Sequence, residues 1–261
     1  VERSLEPGFF MTTPQSTIAP LLEPFAPARP TRAHPLDRLA TLVELILAEN
    51  TRQNLTADKT PELFWPRHIE DAVRAAAALH ARVAALAAPR ILDIGAGGGI
   101  PGLVWSLLWP SAKVVLLDSR RKRTAFLERA ARELNLPCVD VLTGRAEELA
   151  HDARHREAYD LATARAVAPL PVLLELALPF AAVGGAFAAI KSADQTMELA
   201  AAAGVPERLG ARAAGELDYR RSDGKACRVL IYQKRGPTPS RFPRNGAQLA
   251  RRPLGPAMDS A

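Results

Sequence analysis

The sequence predicts an α/β domain built on a mostly parallel seven-stranded sheet with an antiparallel edge, preceded by a helical extension. Three observations predict it. From Arg90 onward, short apolar runs alternate with helical spacings in a βαβαβαβαβ order, the pattern of a parallel sheet with crossover helices. The first run leads into a glycine-rich loop, Gly95-Ala96-Gly97-Gly98-Gly99, and the second ends in an acid, Asp118. Two last apolar runs flank the turn signal Ser222-Asp223-Gly224-Lys225, so the sheet finishes in a hairpin.

Taken in order, residues 1–36 hold seven of the 22 prolines and little periodic hydrophobicity, so 1–35 read as a disordered arm. Met11 reads as the natural start, with residues 1–10 an upstream extension. Leu36, Leu39, Leu42, Val43, Ile46 and Leu47 follow a helical spacing, and residues 61–86 give a second, alanine-rich helix. Together they form an N-terminal helical region at 36–88. The α/β domain occupies 89–235, with parallel strands at 91–94, 114–117, 139–142, 159–164 and 186–190 and hairpin strands at 214–220 and 228–233. Pro101 suits a first helical turn, where its missing N–H would have no partner anyway. Residues 236–261 form a basic, proline-containing tail that is expected to build no core of its own.

Composition narrows the classes. At 261 residues and 48% apolar, the chain can bury a sizeable core. No run of eighteen apolar residues occurs, so no membrane span is expected. A charged segment followed by an apolar one is missing at the N-terminus, so no secretory signal is expected, and Asn54-Leu55-Thr56 is not read as a glycosylation site. Two distant cysteines, Cys138 and Cys227, fit a reduced cytoplasmic compartment and offer no metal-ligand spacing. Cys138 follows Pro137 at the opening of the third strand and reads as core. The net charge of +6 favours a polyanionic partner.

Gly97-Gly98-Gly99-Ile100-Pro101-Gly102 matches G-x-G-x-x-G, which admits a nicotinamide-dependent oxidoreductase. Gly95-Ala96-Gly97 directly after a strand containing Asp93 is instead the S-adenosylmethionine pattern, and the terminal hairpin belongs to the same variant of the sheet. The two together indicate a Rossmann-like class I S-adenosylmethionine-dependent methyltransferase fold. Ligands of such sheets sit at the carboxyl ends of the strands, and Asp118, Glu147, Arg165 and Lys191 all fall there. Asp118 reads as the ribose acceptor, with capping of the following helix as the competing role. Ala146-Glu147 stand where adenine is read, although Glu147 equally suits a first-turn acid. Arg165 lies in an apolar segment, where a charge calls for a partner. The run Arg120-Arg121-Lys122-Arg123 is either a solvated helix start or a phosphate-binding edge. His68 stands at helical spacing from Asp71 and can pair with it.

Seven blocks in register carry a resemblance. They are Gln53-Asn54-Leu55-Thr56-Ala57, Arg67-His68-Ile69-Glu70-Asp71, LDIGAGGGIPG from Leu92, LLDSRRKRTAFL from Leu116, GRAEE from Gly144, ARAVAPL from Ala164, and Lys191. The ending FPRNGAQLARRPL, from Phe242, adds to them. In these blocks the chain resembles the bacterial small-subunit rRNA guanine-N7 methyltransferases, also called glucose-inhibited division protein B. It departs from them at Ala72 and Ala164, where the family favours serine. The resemblance implies S-adenosylmethionine bound through Gly95, Gly97, Ile100, Asp118, Ala146, Glu147 and Arg165. It also implies methylation of N7 of guanosine 527 in the 530 loop of 16S rRNA, a modification tied to streptomycin response. Arg165 is then expected to position cofactor or RNA, with Asn54, His68 and Lys191 as further RNA-positioning candidates. The expected partner is 16S rRNA or the small ribosomal subunit, with no metal, and the protein is expected to be a cytoplasmic monomer. The rival readings are a methyltransferase for a small molecule or protein, the oxidoreductase, and a noncatalytic RNA-binding protein.

Overall fold

A computed structural model describes residues 14–25 and 34–256. Seven strands, β1 (Arg90–Ile94), β2 (Lys113–Asp118), β3 (Val139–Thr143), β4 (Tyr159–Arg165), β5 (Ala181–Ser192), β6 (Ala211–Arg220) and β7 (Ala226–Lys234), form one sheet in the order β3-β2-β1-β4-β5-β7-β6. Neighbours among β1–β5 are parallel, and β7 runs antiparallel to both β5 and β6. Ile94 of β1 is level with Leu117 of β2 and Ala164 of β4, so these three strands end together. Strand order reverses between β1 and β4, which opens a crevice at their carboxyl ends.

Successive side chains of a strand point to opposite faces, and the core divides accordingly. Ile91, Val114, Leu116 and Leu161 join one cluster, while Leu92, Ile94, Val115, Leu117 and Ala164 join the other. The first face is covered from the N-terminal half. Its elements are α1 (Pro14–Ile18), α2 (Pro35–Asn50), α3 (Pro61–Phe64), α4 (Asp71–Ala84), α5 (Gly102–Leu108) and α6 (Arg121–Glu133). The second face packs against α8 (Leu170–Ala177) and α10 (Val205–Arg208), with α7 (Ala146–Leu149), α9 (Thr196–Ala201) and α11 (Gly246–Arg251) at its margins. Both faces of the central strands are therefore covered, which explains why β1, β2 and β4 are apolar almost throughout, while the edge strands β3 and β6 stand partly exposed.

Between α3 and α4 the chain passes through a π-helical stretch, Trp65–Glu70. Pro66 accounts for it, because a proline inside a helix removes a donor and crowds the preceding turn. Pro101 itself caps α5 instead of opening its first turn.

Three further sequence expectations change. The proline-rich arm is not uniformly unstructured: within it, α1 and a 3-10 turn (Ala19–Phe25) bury Ile18, Leu22 and Phe25. Phe25 meets His80 and Trp109 edge-on, at 4.9 and 6.0 Å between ring centres. Each such side chain contributes roughly 2 kcal/mol of burial, enough to hold a short segment that prolines keep out of a longer helix. Met11 and residues 1–13, 26–33 and 257–261 lie outside the described residues. Cys138 is exposed, because β3 is the edge of the sheet. The segment 236–256 does not project as a tail; Phe242, Leu249 and Leu254, spaced among its prolines, are buried in the second core cluster.

Among the described residues no helix is long and apolar enough to cross a membrane.

Candidate functional site

Two cavities meet at the crevice between β1 and β4. The first, about 370 Å³, is lined by Gly95, Asp118, Arg123, Ala146, Glu147 and Val167, among others. The second, about 290 Å³, is lined by Phe64, His68, Gly97, Ile100, Arg123 and Arg165, together with Ile46, Leu55 and Thr56. Gly95, Arg123 and Ala166 belong to both, so the cavities adjoin across the glycine loop.

Gly95 takes a φ of +71°, and a Cβ on it would stand 2.7 Å from Val167 Cγ2. Only glycine lets this turn and the 166–170 loop approach each other without widening the mouth of the cavity. Asp118, at the tip of β2, is buried but lines the first cavity. Its Oδ2 accepts from Gly97 N at 3.0 Å and its Oδ1 from Arg120 N at 2.9 Å. It therefore fastens the glycine loop and the start of α6 at once, which realises the competing capping role in part. Arg123 Nη1 approaches Oδ2 as well, at 3.5 Å, while Oδ1 keeps a second lone pair for a further donor. Ala146 opens α7 at the same cavity, and Glu147 is paired with Arg145 at 2.9 Å.

Asp93 was visible in the sequence only as the acid in the first strand. Its Oδ2 accepts from Gly102 N at 2.8 Å, while its Oδ1 is buried with no hydrogen-bond partner. Burial pushes its pKa up to about 7, the Asp118 charge adds to the rise, and the Gly102 bond and Arg165 oppose it.

The second cavity is organised around Arg165 at the end of β4. Its Nη2 lies 2.7 Å from His68 Nδ1, and its Nη1 reaches Asp71 Oδ2 at 3.1 Å and the Arg67 carbonyl at 3.2 Å. On the far side of the imidazole, Nε2 lies 2.9 Å from Asp58 Oδ2 and 3.1 Å from Thr56 Oγ1. A guanidinium only donates and a carboxylate only accepts, so His68 Nδ1 accepts and Nε2 carries the single proton. The imidazole is neutral. Burial first and the Arg165 charge second pull its pKa down to about 4, against the opposing pull of Asp58 and Asp71.

The His68–Asp71 pairing expected from helical spacing does not form. The π-helical stretch turns His68 toward the 55–58 loop, where Asp58 takes it, and Asp71 instead serves Arg165 and Tyr219, whose Oη donates at 2.8 Å. Phe64 stacks on His68 with ring centres 4.3 Å apart and gives the cavity an aromatic wall.

Two expected RNA-positioning residues lie elsewhere. Lys191 Nζ donates to Glu198 Oε2 at 2.7 Å and to the Ala168 carbonyl at 3.0 Å, and lines neither cavity. Glu198 also accepts from Leu170 N, so this pair staples the 166–170 loop. The staple holds Ala166 at φ 55°, a left-handed conformation that costs a residue with a Cβ about 1–2 kcal/mol. Asn54 is exposed beside Gln53 and the Arg120–Arg123 run, around another pocket that shares only Arg120 and Arg123 with the two cavities. Sequence reasoning missed Asp58 and Phe64 altogether. Asp58 meets His68 only because the loop before α3 folds back, and nothing in their spacing signals it.

Comparison with known proteins decides the family. Residues 36–213 match the family model for rRNA small subunit methyltransferase G, also designated GidB. The chain is similar to ribosomal RNA small subunit methyltransferase G of Rubrobacter xylanophilus, 39% identical over 224 residues that cover 84% of each chain. The chain belongs to this family. The methyltransferase G protein of Gloeobacter violaceus is likewise 39% identical over 215 residues, 82% of this chain and 84% of its own. A solved O-methyltransferase from Bacillus cereus in complex with SAH superposes with a TM-score of 0.52 at 20% identity, over 74% of this chain and 91% of that one, a likeness of fold alone. As a methyltransferase G family member, the chain carries the linings of both cavities inside the matched span; β7 and the C-terminal segment lie beyond it.

Proposed function

We propose that the chain transfers a methyl group from S-adenosylmethionine to N7 of a guanine in 16S rRNA, guanosine 527 of the 530 loop. The observation that carries this reading is the character of the second cavity. Its titratable lining residues are His68, Arg123 and Arg165, and the one base among them, His68, has both nitrogens engaged. Guanine N7 offers an in-plane lone pair and bears no proton, so its methylation needs no general base. Attack through guanine N1 or the exocyclic amine would release a proton, and this wall has no free group to take it.

The residues of the first cavity fit the donor. Asp118 is available to ribose hydroxyls, and Ala146 and Glu147 to the adenine edge. Bound there, S-adenosylmethionine supplies a methyl carbon already activated by its sulfonium. The protein's share is alignment: the loop at Gly95 fixes the wall that the two cavities share, and Arg165, clamped by His68, Asp71 and the Arg67 carbonyl, presents a fixed cation to guanine O6, a phosphate or the donor carboxylate. The target base enters unstacked, against the Phe64 wall, which a single-stranded loop permits at low cost.

Incubation of the purified chain with labelled S-adenosylmethionine and small ribosomal subunits lacking the mark, followed by cleavage at 7-methylguanine, tests the reading. Label confined to guanosine 527 is expected. Label on another atom or base, or none with subunits and with naked rRNA, refutes it.

A further inference from the structure

We propose that the C-terminal segment 236–256 is a strap that sets the position of Glu147 at the nucleoside end of the first cavity. This rests on the reading of that cavity as the S-adenosylmethionine site. The residue that couples strap to cavity is Gly246, the first residue of α11.

The strap is fixed at three places. At its root, Lys234 is fully buried and its Nζ donates to Glu157, the Leu178 carbonyl and Thr238 Oγ1. In its middle, Arg156 donates to the carbonyls of Thr238, Pro239 and Phe242. Ahead of α11, Arg244 binds the fully buried carboxylate of Glu175 through its backbone N at 2.8 Å and its side chain at 2.8 and 2.7 Å. A buried carboxylate met by three donors is a rigid anchor, since any movement leaves the charge unsatisfied.

These anchors grip α7 from both ends. At its C-terminal end, the same Arg156 guanidinium that holds Phe242 also holds the Ala150 carbonyl, and His151 Nε2 lies 2.8 Å from the Pro243 carbonyl. At its N-terminal end, Gly246 sits against the Arg145–Glu147 pair. A Cβ there would stand 2.6 Å from Glu147 Oε1 and 3.2 Å from Arg145 Nη2. The strap thus leaves room for the carboxylate in its paired position and for nothing larger. Glu147 contributes to the cavity, so the strap fixes a group at the ligand's edge without touching the ligand.

Gly246→Ala separates this positioning role from a structural one. Glu147 Oε1 is the end of a flexible side chain and can move aside, and Gly246 does not take a left-handed φ that an alanine would strain. The melting temperature is therefore expected to stay level or rise, while the Kd for S-adenosylmethionine, measured by calorimetry, rises about fivefold, the loss of one hydrogen bond. In a Glu147→Ala background, Gly246→Ala is expected to change the Kd no further. Binding by the wild-type chain with unchanged affinity in Gly246→Ala overturns the strap proposal alone, as does an undiminished effect of Gly246→Ala when Glu147 is absent. Failure of the wild-type chain to bind the donor overturns the reading of the cavity as well.

Discussion

Replacing Asp93 by asparagine is expected to make the protein progressively more stable than the wild type as pH rises. The wild-type carboxyl holds its proton up to about pH 7 in the native state, against an ordinary value of 3.8 for the unfolded chain. Over that interval the unfolded state ionises while the native state does not, so stability present below the unfolded pKa drains away until the folded pKa is reached. At about 1.4 kcal/mol per pKa unit, the whole interval amounts to about 4 kcal/mol. Of this, about 3 kcal/mol falls between pH 5 and pH 8. Asparagine keeps the acceptor for Gly102 N and does not titrate. Its amide, standing where Oδ1 finds no partner, adds a constant penalty that leaves the slope untouched. Urea unfolding at several pH values measures the difference directly. Stability curves that run parallel for the two proteins across this range would show that Asp93 ionises normally and that the orphaned oxygen is not a store of unfavourable charge.

Three further outcomes are expected. Arg165→Ala removes the donor to His68 Nδ1 and the partner of Asp71; methylation of small subunits should fall at least tenfold, with a loss of about 1.5–3 kcal/mol for charged hydrogen bonds, and an unaltered rate at native donor affinity would remove Arg165 from the site. Because His68 is held neutral down to about pH 4, the methylation rate should show no step between pH 6 and pH 8 that disappears in His68→Gln. Arg120, Arg121 and Lys122 are exposed at the start of α6 and should meet RNA phosphates; each alanine substitution is expected to reduce the log–log salt slope of rRNA binding by about 1, and an unchanged slope would mark a merely solvated helix start.

The sheet was legible because its central strands are buried on both faces: runs such as Val114–Leu117 can be little else between a proline or glycine and an acid. The glycine loop and Asp118 were legible for a related reason, since backbone that must turn at φ +71° and approach Val167 leaves few residue choices. Partnerships across the fold were hidden. Asp58 reaches His68 through a loop, and Lys191 faces Glu198 because α9 folds back over the end of β5. Both depend on the chain's path in space, and spacing carries no trace of it. The C-terminal segment misled for another reason. Its basic and proline residues dominate the composition, yet three apolar side chains and one arginine on a buried carboxylate decide where it lies.

The wide turn at Trp65–Glu70 has a consequence for how this site tolerates insertions and deletions. Its looser winding leaves the Arg67 carbonyl open to two guanidinium groups, Arg165 at 3.2 Å and Arg221 at 3.3 Å, which arrive from β4 and from the hairpin. Removing one residue there would tighten the winding into ordinary α-helix and swing every later side chain by about 100°. The helix itself would gain regularity, yet both arginines would lose their socket, so local geometric imperfection is what the surrounding architecture has been built to preserve.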